Sequence, residues 1–372
     1  MTTRKPLWTL PLCLALATAC DDPPTEPVSD PGVLNLSGTS VAFEAEAAGA
    51  SPAAATLDVT AEDGDVGVVA AAVRYPAQAP VDWLSAELSG MTPPLTLTVT
   101  ADVAALAWGF YQSAVVVSGS QAANEPHIIF VVLDLRCPEA AAGTFAVCGT
   151  LHDVETGEPL RTALDVRAYD AVAFASNPDA ATPLSARSIV ADASGRFHVV
   201  DAAVPTLGTA LITSGAASAT DHVLSGTSMP VAGGDRLTDA WLPALRRSTV
   251  DAWTSSAGIY ATGTFADSGA VLSVFIGDDG PAAGVEAVVP SPDTSFYFDA
   301  ASSAIVDVDP TATHTGADGA ALTIRTGLGN HSGQGGEPAG CEWPSALAAS
   351  VPGLVWVLQQ VAVVSGTSFP CR

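Results

Sequence analysis

No stretch of this chain carries the 3.6-residue periodicity of an amphipathic helix ten or more residues long. Its apolar residues come instead in short runs bounded by turn-forming clusters. Leu95-Thr-Leu97-Thr-Val99-Thr100 alternates strictly, which puts leucine and valine on one face of a strand and threonine on the other. Ile128-Ile-Phe-Val-Val-Leu133 is apolar without alternation and reads as a strand buried on both faces. Glu62-Asp-Gly-Asp65 and Ser120 to Pro126 separate such runs. The chain is therefore expected to be all-β. At 372 residues it exceeds one core of ~150 residues, so several modules are expected.

The N-terminus has its own logic. Arg4 and Lys5 precede an apolar segment from Leu7 to Leu16, broken by Pro11 and ending in Ala17-Thr18-Ala19-Cys20. This reads as an export signal over residues 1–19. Small residues directly before a cysteine resemble the lipobox of bacterial lipoproteins. The resemblance implies lipid attachment at Cys20, an acyl anchor in the bilayer, and a place in the cell envelope at the outer membrane or cell surface. Ala17 stands where leucine is usual in that motif. Residues 20–32 are rich in Asp and Pro and cannot pack, so they read as an extended, disordered tether.

Lys and Arg number 13 against 39 Asp and Glu, a formal net charge of −26. Binding to nucleic acid needs a basic face to neutralise phosphates, so nucleic acid is not an expected partner. Cleavage before Cys20 would remove the one lysine and leave only arginine as a cation. With Cys13 in the signal and Cys20 in the anchor, four cysteines remain: Cys137, Cys148, Cys341 and Cys371. An even number in an exported chain implies disulfides, in one of three pairings. Cys137–Cys148 and Cys341–Cys371 are the local choices.

Three modules are expected. In residues 33–136, Asp82-Trp83-Leu84-Ser85, Gly90-Met-Thr-Pro93, Leu106-Ala-Trp108-Gly-Phe-Tyr111 and Val115-Val-Val-Ser-Gly119 occur in order. The set resembles the BACON-type Ig-like module of bacterial surface proteins. That resemblance implies an Ig-like sandwich and a glycan- or protein-binding role. In residues 137–250, Asp153-Val-Glu-Thr156-Gly157-Glu-Pro159-Leu160 and Asp192-Ala-Ser-Gly195-Arg-Phe197 resemble the turns of the carboxypeptidase regulatory-like, or transthyretin-like, β-sandwich. Modules of that kind carry no catalytic group. Residues 257–372 read as a second regulatory-like or Ig-like β-sandwich, with Asn330 to Gly340 as a loop and Pro344 to Ser350 as a helical turn.

The candidate chemistry is sparse. Trp83, Trp108, Phe110 and Tyr111 are rings that could form a sugar-stacking platform; Trp83 is expected in the core, and Trp108 and Tyr111 are the candidate ligand contacts. Ser225-Gly-Thr-Ser228-Met-Pro resembles the nucleophile motif of subtilisin-like proteases. The Asp-His-Ser order of that family and its His motif are missing, so Ser228 is expected to lie in a strand or turn and the protein to be non-enzymatic. No cofactor is expected; carboxylates at Glu62 to Asp65, Asp278-Asp279 and Asp307/Asp309 suit at most weak Ca²⁺ binding. His314 and His331 are the one histidine pair that loops could bring together. Arg246-Arg247 reads as part of a linker between the second and third modules. The expected role is thus a surface binding, adhesion or scaffold array for glycan or protein. A spacer without its own ligand is the alternative, and a Ser228 hydrolase a more remote one.

Overall fold

The computed structural model describes residues 30–77, 79–185, 189–190, 194–216, 221–256, 264–290, 294–299, 305–335 and 341–364. Cys20 and Cys371 lie outside the described residues. The chain is all-β, with only short helices.

Residues 33–136 form eight strands: β1 (Val33–Leu36), β2 (Ser40–Glu46), β3 (Ala55–Glu62), β4 (Val69–Arg74), β5 (Leu84–Leu88), β6 (Leu95–Ala101), β7 (Gly109–Gly119) and β8 (His127–Arg136). They pack as two four-stranded sheets, β1-β3-β6-β5 and β2-β8-β7-β4. On β6, Leu95, Leu97 and Val99 are buried, as their alternation requires. Between the sheets, Leu34, Val59, Leu97, Val115, Ile129 and Leu133 form one core.

β8 corrects an expectation. Ile129, Val131 and Leu133 point inward, but Phe130 is 63% exposed and Ile128 45%. Continuous apolarity is not double burial here, because no layer covers the outer face of this sheet among the described residues.

The C-terminal part continues with β9 (Thr144–Asp153), β10 (Asp165–Asp170), α1 (Ala171–Ser176), β11 (Ile189–Val190), β12 (Arg196–Ala203), β13 (Thr209–Ser214), β14 (Leu224–Pro230), β15 (Arg236–Ala244) and α2 (Arg247–Ser255). Then follow α3 (Phe265–Ser268), β16 (Ala270–Gly277), β17 (Gly280–Pro281), β18 (Val285–Val288), β19 (Thr294–Phe298), β20 (Val308–Asp309) and β21 (Ala320–Ile324). The last strands are β22 (Gly329–Gly335), β23 (Cys341–Ala348), β24 (Leu354–Val361) and β25 (Val363–Val364). β12-β9-β15 is a separate three-stranded sheet, and β18-β22-β23-β25 a four-stranded one.

Residues 137–250 and 257–364 do not fold as separate beads. A single ten-stranded sheet runs β11-β10-β13-β14-β24-β16-β21-β19-β20, with β17 on β16. Its joint is a parallel pair, with Leu224, Ser225 and Gly226 of β14 opposite Leu354, Val355 and Trp356 of β24. The expected linker is also packed. Val250 and Trp253 of α2 sit in one core with Leu272, Phe298, Leu322 and Val355, and the Trp253 indole donates to the Ile305 carbonyl at 2.6 Å. The Gly-rich segment is strand β22 up to Gly335, and Pro344 lies within strand β23 instead of a helical turn. Cross-strand pairing outweighs local Gly and Pro preferences at both places.

Gly269 closes α3 at φ +64°, where an added Cβ would stand 1.8 Å from the Val351 carbonyl oxygen. Gly269→Ala is therefore expected to destabilise by more than about 1 kcal/mol, measured as a lower thermal midpoint.

Candidate functional site

The candidate site lies where the first module meets the second. β7 starts at Gly109, whose φ of +133° is one that residues with side chains rarely adopt. From there the two-residue period of the strand decides what faces where. Phe110, opposite Asp134 on β8, points out and is 56% exposed. Tyr111 points in and is only 3% exposed. Its hydroxyl donates to the Ala107 carbonyl at 2.6 Å, its ring meets Trp83 at 6.1 Å, and the Arg196 guanidinium lies 4.4 Å from the ring centre. Tyr111 is thus a core residue, and the sugar contact assigned to it from sequence is corrected. Trp83 is core, as expected.

Trp108 is half-buried and donates its indole N–H to the Gly149 carbonyl at 3.1 Å. It fastens the first module to β9 while one part of its ring stays at the surface. Trp108 and Phe110 line a cleft of about 390 Å³ with Asp134, Arg136, Arg236 and Thr238. Arg136 bridges Glu44 at 2.6 Å and Asp134 at 3.3 Å, and these carboxylates hold its guanidinium above the ordinary pKa. Arg236 pairs with Glu139 at 2.5 Å. Two aromatic rings thus border hydrogen-bonding groups held in place by ion pairs. Such a cleft can take a ligand with apolar faces and polar edges. No Ser or His lines it, and its cysteine, Cys137, is tied up in a disulfide with Cys148. Phe110, not Tyr111, is the second surface ring of the aromatic cluster named from sequence. The parity that places Tyr111, Ser113, Val115 and Val117 on one face decides between them.

Cys137 ends the passage out of β8 and is bonded to Cys148 on β9, with Cα atoms 5.8 Å apart. Cys341 is also disulfide-bonded; Cys371, its expected partner, lies outside the described residues.

The remaining candidates are structural. Ser228 is in the middle of β14, and its hydroxyl donates to the Leu347 carbonyl at 2.6 Å. It does not stand at a helix N-terminus. Arg246 is anchored by two bonds, at 3.1 and 2.8 Å, to one oxygen of buried Asp153. Asp153 also caps the following turn through the N–H of Glu155 at 2.9 Å. Beside this pair, a cleft of about 450 Å³ is lined by Leu160, Thr162, Asp221, His222, Arg246 and Ser248. Burial pushes the His222 imidazole below its ordinary pKa.

Among the described residues no three His, Cys, Asp or Glu side chains converge as metal ligands. The acidic turns use their carboxylates on themselves: Asp65 accepts from Gly67 N–H at 2.8 Å, and Asp309 from Thr311. His314 is exposed and bonded to Thr313. His331 is fully buried, with Nε2 3.4 Å from the Thr326 hydroxyl and Nδ1 without a partner. Burial pushes its pKa down to about 4. Asp318, also buried, accepts from the Ala320 N–H at 2.7 Å, and burial pushes its carboxyl up to about 6.

No family model matches the chain, and no curated protein matches it. Among solved structures it is similar to a candidate carbohydrate-binding protein from Bacteroides ovatus, at 11% identity over 55% of this chain and 72% of that one, with a TM-score of 0.22. It is similar to the human desmocollin-1 ectodomain at 6% identity, over 88% and 59% of the two chains, with a TM-score of 0.22. The Ig1-2 module of the Drosophila receptor protein tyrosine phosphatase DLAR shares 8% identity over 57% and 98%, with a TM-score of 0.20. Likeness at this level assigns no function.

Proposed function

We propose that this is a non-enzymatic, lipid-anchored envelope protein whose first module binds glycan at the cleft it forms with the second. The observation that carries the reading is the pairing of outward Phe110 with half-buried Trp108 around the Asp134, Arg136 and Arg236 side chains. Pyranose rings offer C–H faces to aromatic rings and hydroxyls to carboxylates and guanidinium groups. The BACON-type resemblance of residues 33–136 points the same way, and so does the export signal with a lipobox-like Cys20. Engagement of the Ser228 hydroxyl with a backbone carbonyl supports the absence of a hydrolase site. The second and third segments then form a rigid base.

A glycan array probed with the purified chain tests this. Binding is expected, and Phe110→Ala should weaken it about tenfold or more, as loss of one aromatic contact implies. Phe110 is exposed, so the variant should keep its thermal midpoint. An empty array would favour the spacer reading.

A further inference from the structure

The exposed face of the β2-β8-β7-β4 sheet continues from the cleft, with Phe110 belonging to both. Phe110 pairs with Asp134 and Ala114 with Phe130, so the two phenylalanines share one face, one strand apart and four residues along. That places them roughly 14 Å apart. Gln112, Ala114 and Val132 lie between them, short or uncharged side chains that leave a flat strip. Charges on this face are Glu44, Glu46, Asp134 and Arg136 toward the cleft end and Arg74 on the edge strand.

Four strands about 4.8 Å apart, of 7, 10, 11 and 6 residues, give a face of roughly 550 Å². A standard protein interface buries about 800 Å² on each partner. The face is therefore smaller than what a stable dimer needs, and two copies at −26 each repel one another. It suits a narrower occupant, and its nearly balanced charges, Glu44, Glu46 and Asp134 against Arg136 and Arg74, suit one with no net charge. We propose that the ligand is a linear, neutral polysaccharide chain running from the seam cleft along β7 and β8 to Phe130, which forms a second, remote contact. This rests on the glycan reading of the cleft. A single sugar cannot touch both rings, so only a chain of several units gains from Phe130.

The test titrates the full chain calorimetrically with matched trisaccharides and octasaccharides of the cello, xylo and laminari series. For the series that binds, the octasaccharide is expected to bind about tenfold tighter than the trisaccharide. Phe130→Ala should abolish that advantage and leave trisaccharide affinity unchanged, Phe130→Trp should restore it, and Phe110→Ala should weaken both lengths. Equal affinity at both lengths, or a length advantage that survives Phe130→Ala, overturns the proposal while the cleft reading stands. No binding at any length overturns both. A dimer in sedimentation that Phe130→Ala dissolves would assign the face to a second copy and also overturn it.

Discussion

Trp356→Ala is expected to destabilise residues 137–364 as one body. Trp356 is fully buried on β24, in a core that includes Phe174 of α1, Leu211 of β13, Val271 of β16 and Leu358. It therefore holds together elements on both sides of residue 250. Truncating a buried tryptophan costs about 3–5 kcal/mol, against a typical total of about 5–15 kcal/mol. Hydrogen exchange checks the outcome: protection in peptides of β13 and β14 should fall together with that in β16 and β21. If the C-terminal segments were independent, only residues after 257 would lose protection. Trp356→Phe should keep most of the stability, because it retains a large ring and removes an indole N–H that has no partner.

The second large effect concerns pH. Burial raises the Asp318 pKa from 3.8 to about 6, so the folded state keeps this carboxyl neutral only below about pH 6. The folded state thus binds more protons than the unfolded one in this window, and this group's contribution falls as pH rises from about 4 to about 6. His331 has the opposite sign. Its pKa is lowered from 6.5 to about 4, so its contribution is present at neutral pH and is lost as pH falls through that range. The wild-type chain should therefore show little pH dependence from this pair between about 4 and 6. Asp318→Asn removes one arm. Its stability relative to wild type should be about 2–3 kcal/mol more favourable at pH 7.5 than at pH 4, and its own curve should fall steeply in acid. Urea unfolding at both pH values checks this. His331→Gln should give the reverse slope.

Much of the fold was legible from local chemistry. Leu95 to Thr100 revealed a half-buried strand, because side chains alternate with a period of two. Cys137 and Cys148 revealed their pairing through proximity, and Trp83 its core position through its neighbours. The candidate site was legible only in part. Trp108 and Phe110 were both named among the candidate rings, but Tyr111 was preferred to Phe110, because aromatic content does not say which parity of β7 faces the core. That choice is made by the register of β7 on β8 and by the sheet packed beneath them.

The amino-acid sequence by itself determined an acidic, lysine-poor, strand-forming chain with short turns, since these follow from composition, spacing and backbone preference. Only the tertiary structure decided three further matters. It joined the second and third segments through the β14–β24 pair. It turned the Arg246-Arg247 doublet from a linker into an anchor on Asp153 and the start of a helix that buries Thr249, Val250 and Trp253. It left Phe110 and Phe130 uncovered on one flat face. The physical reason is common to all three. Strand pairing and layer stacking join residues far apart in sequence, and a run of apolar residues does not record whether a second layer covers it.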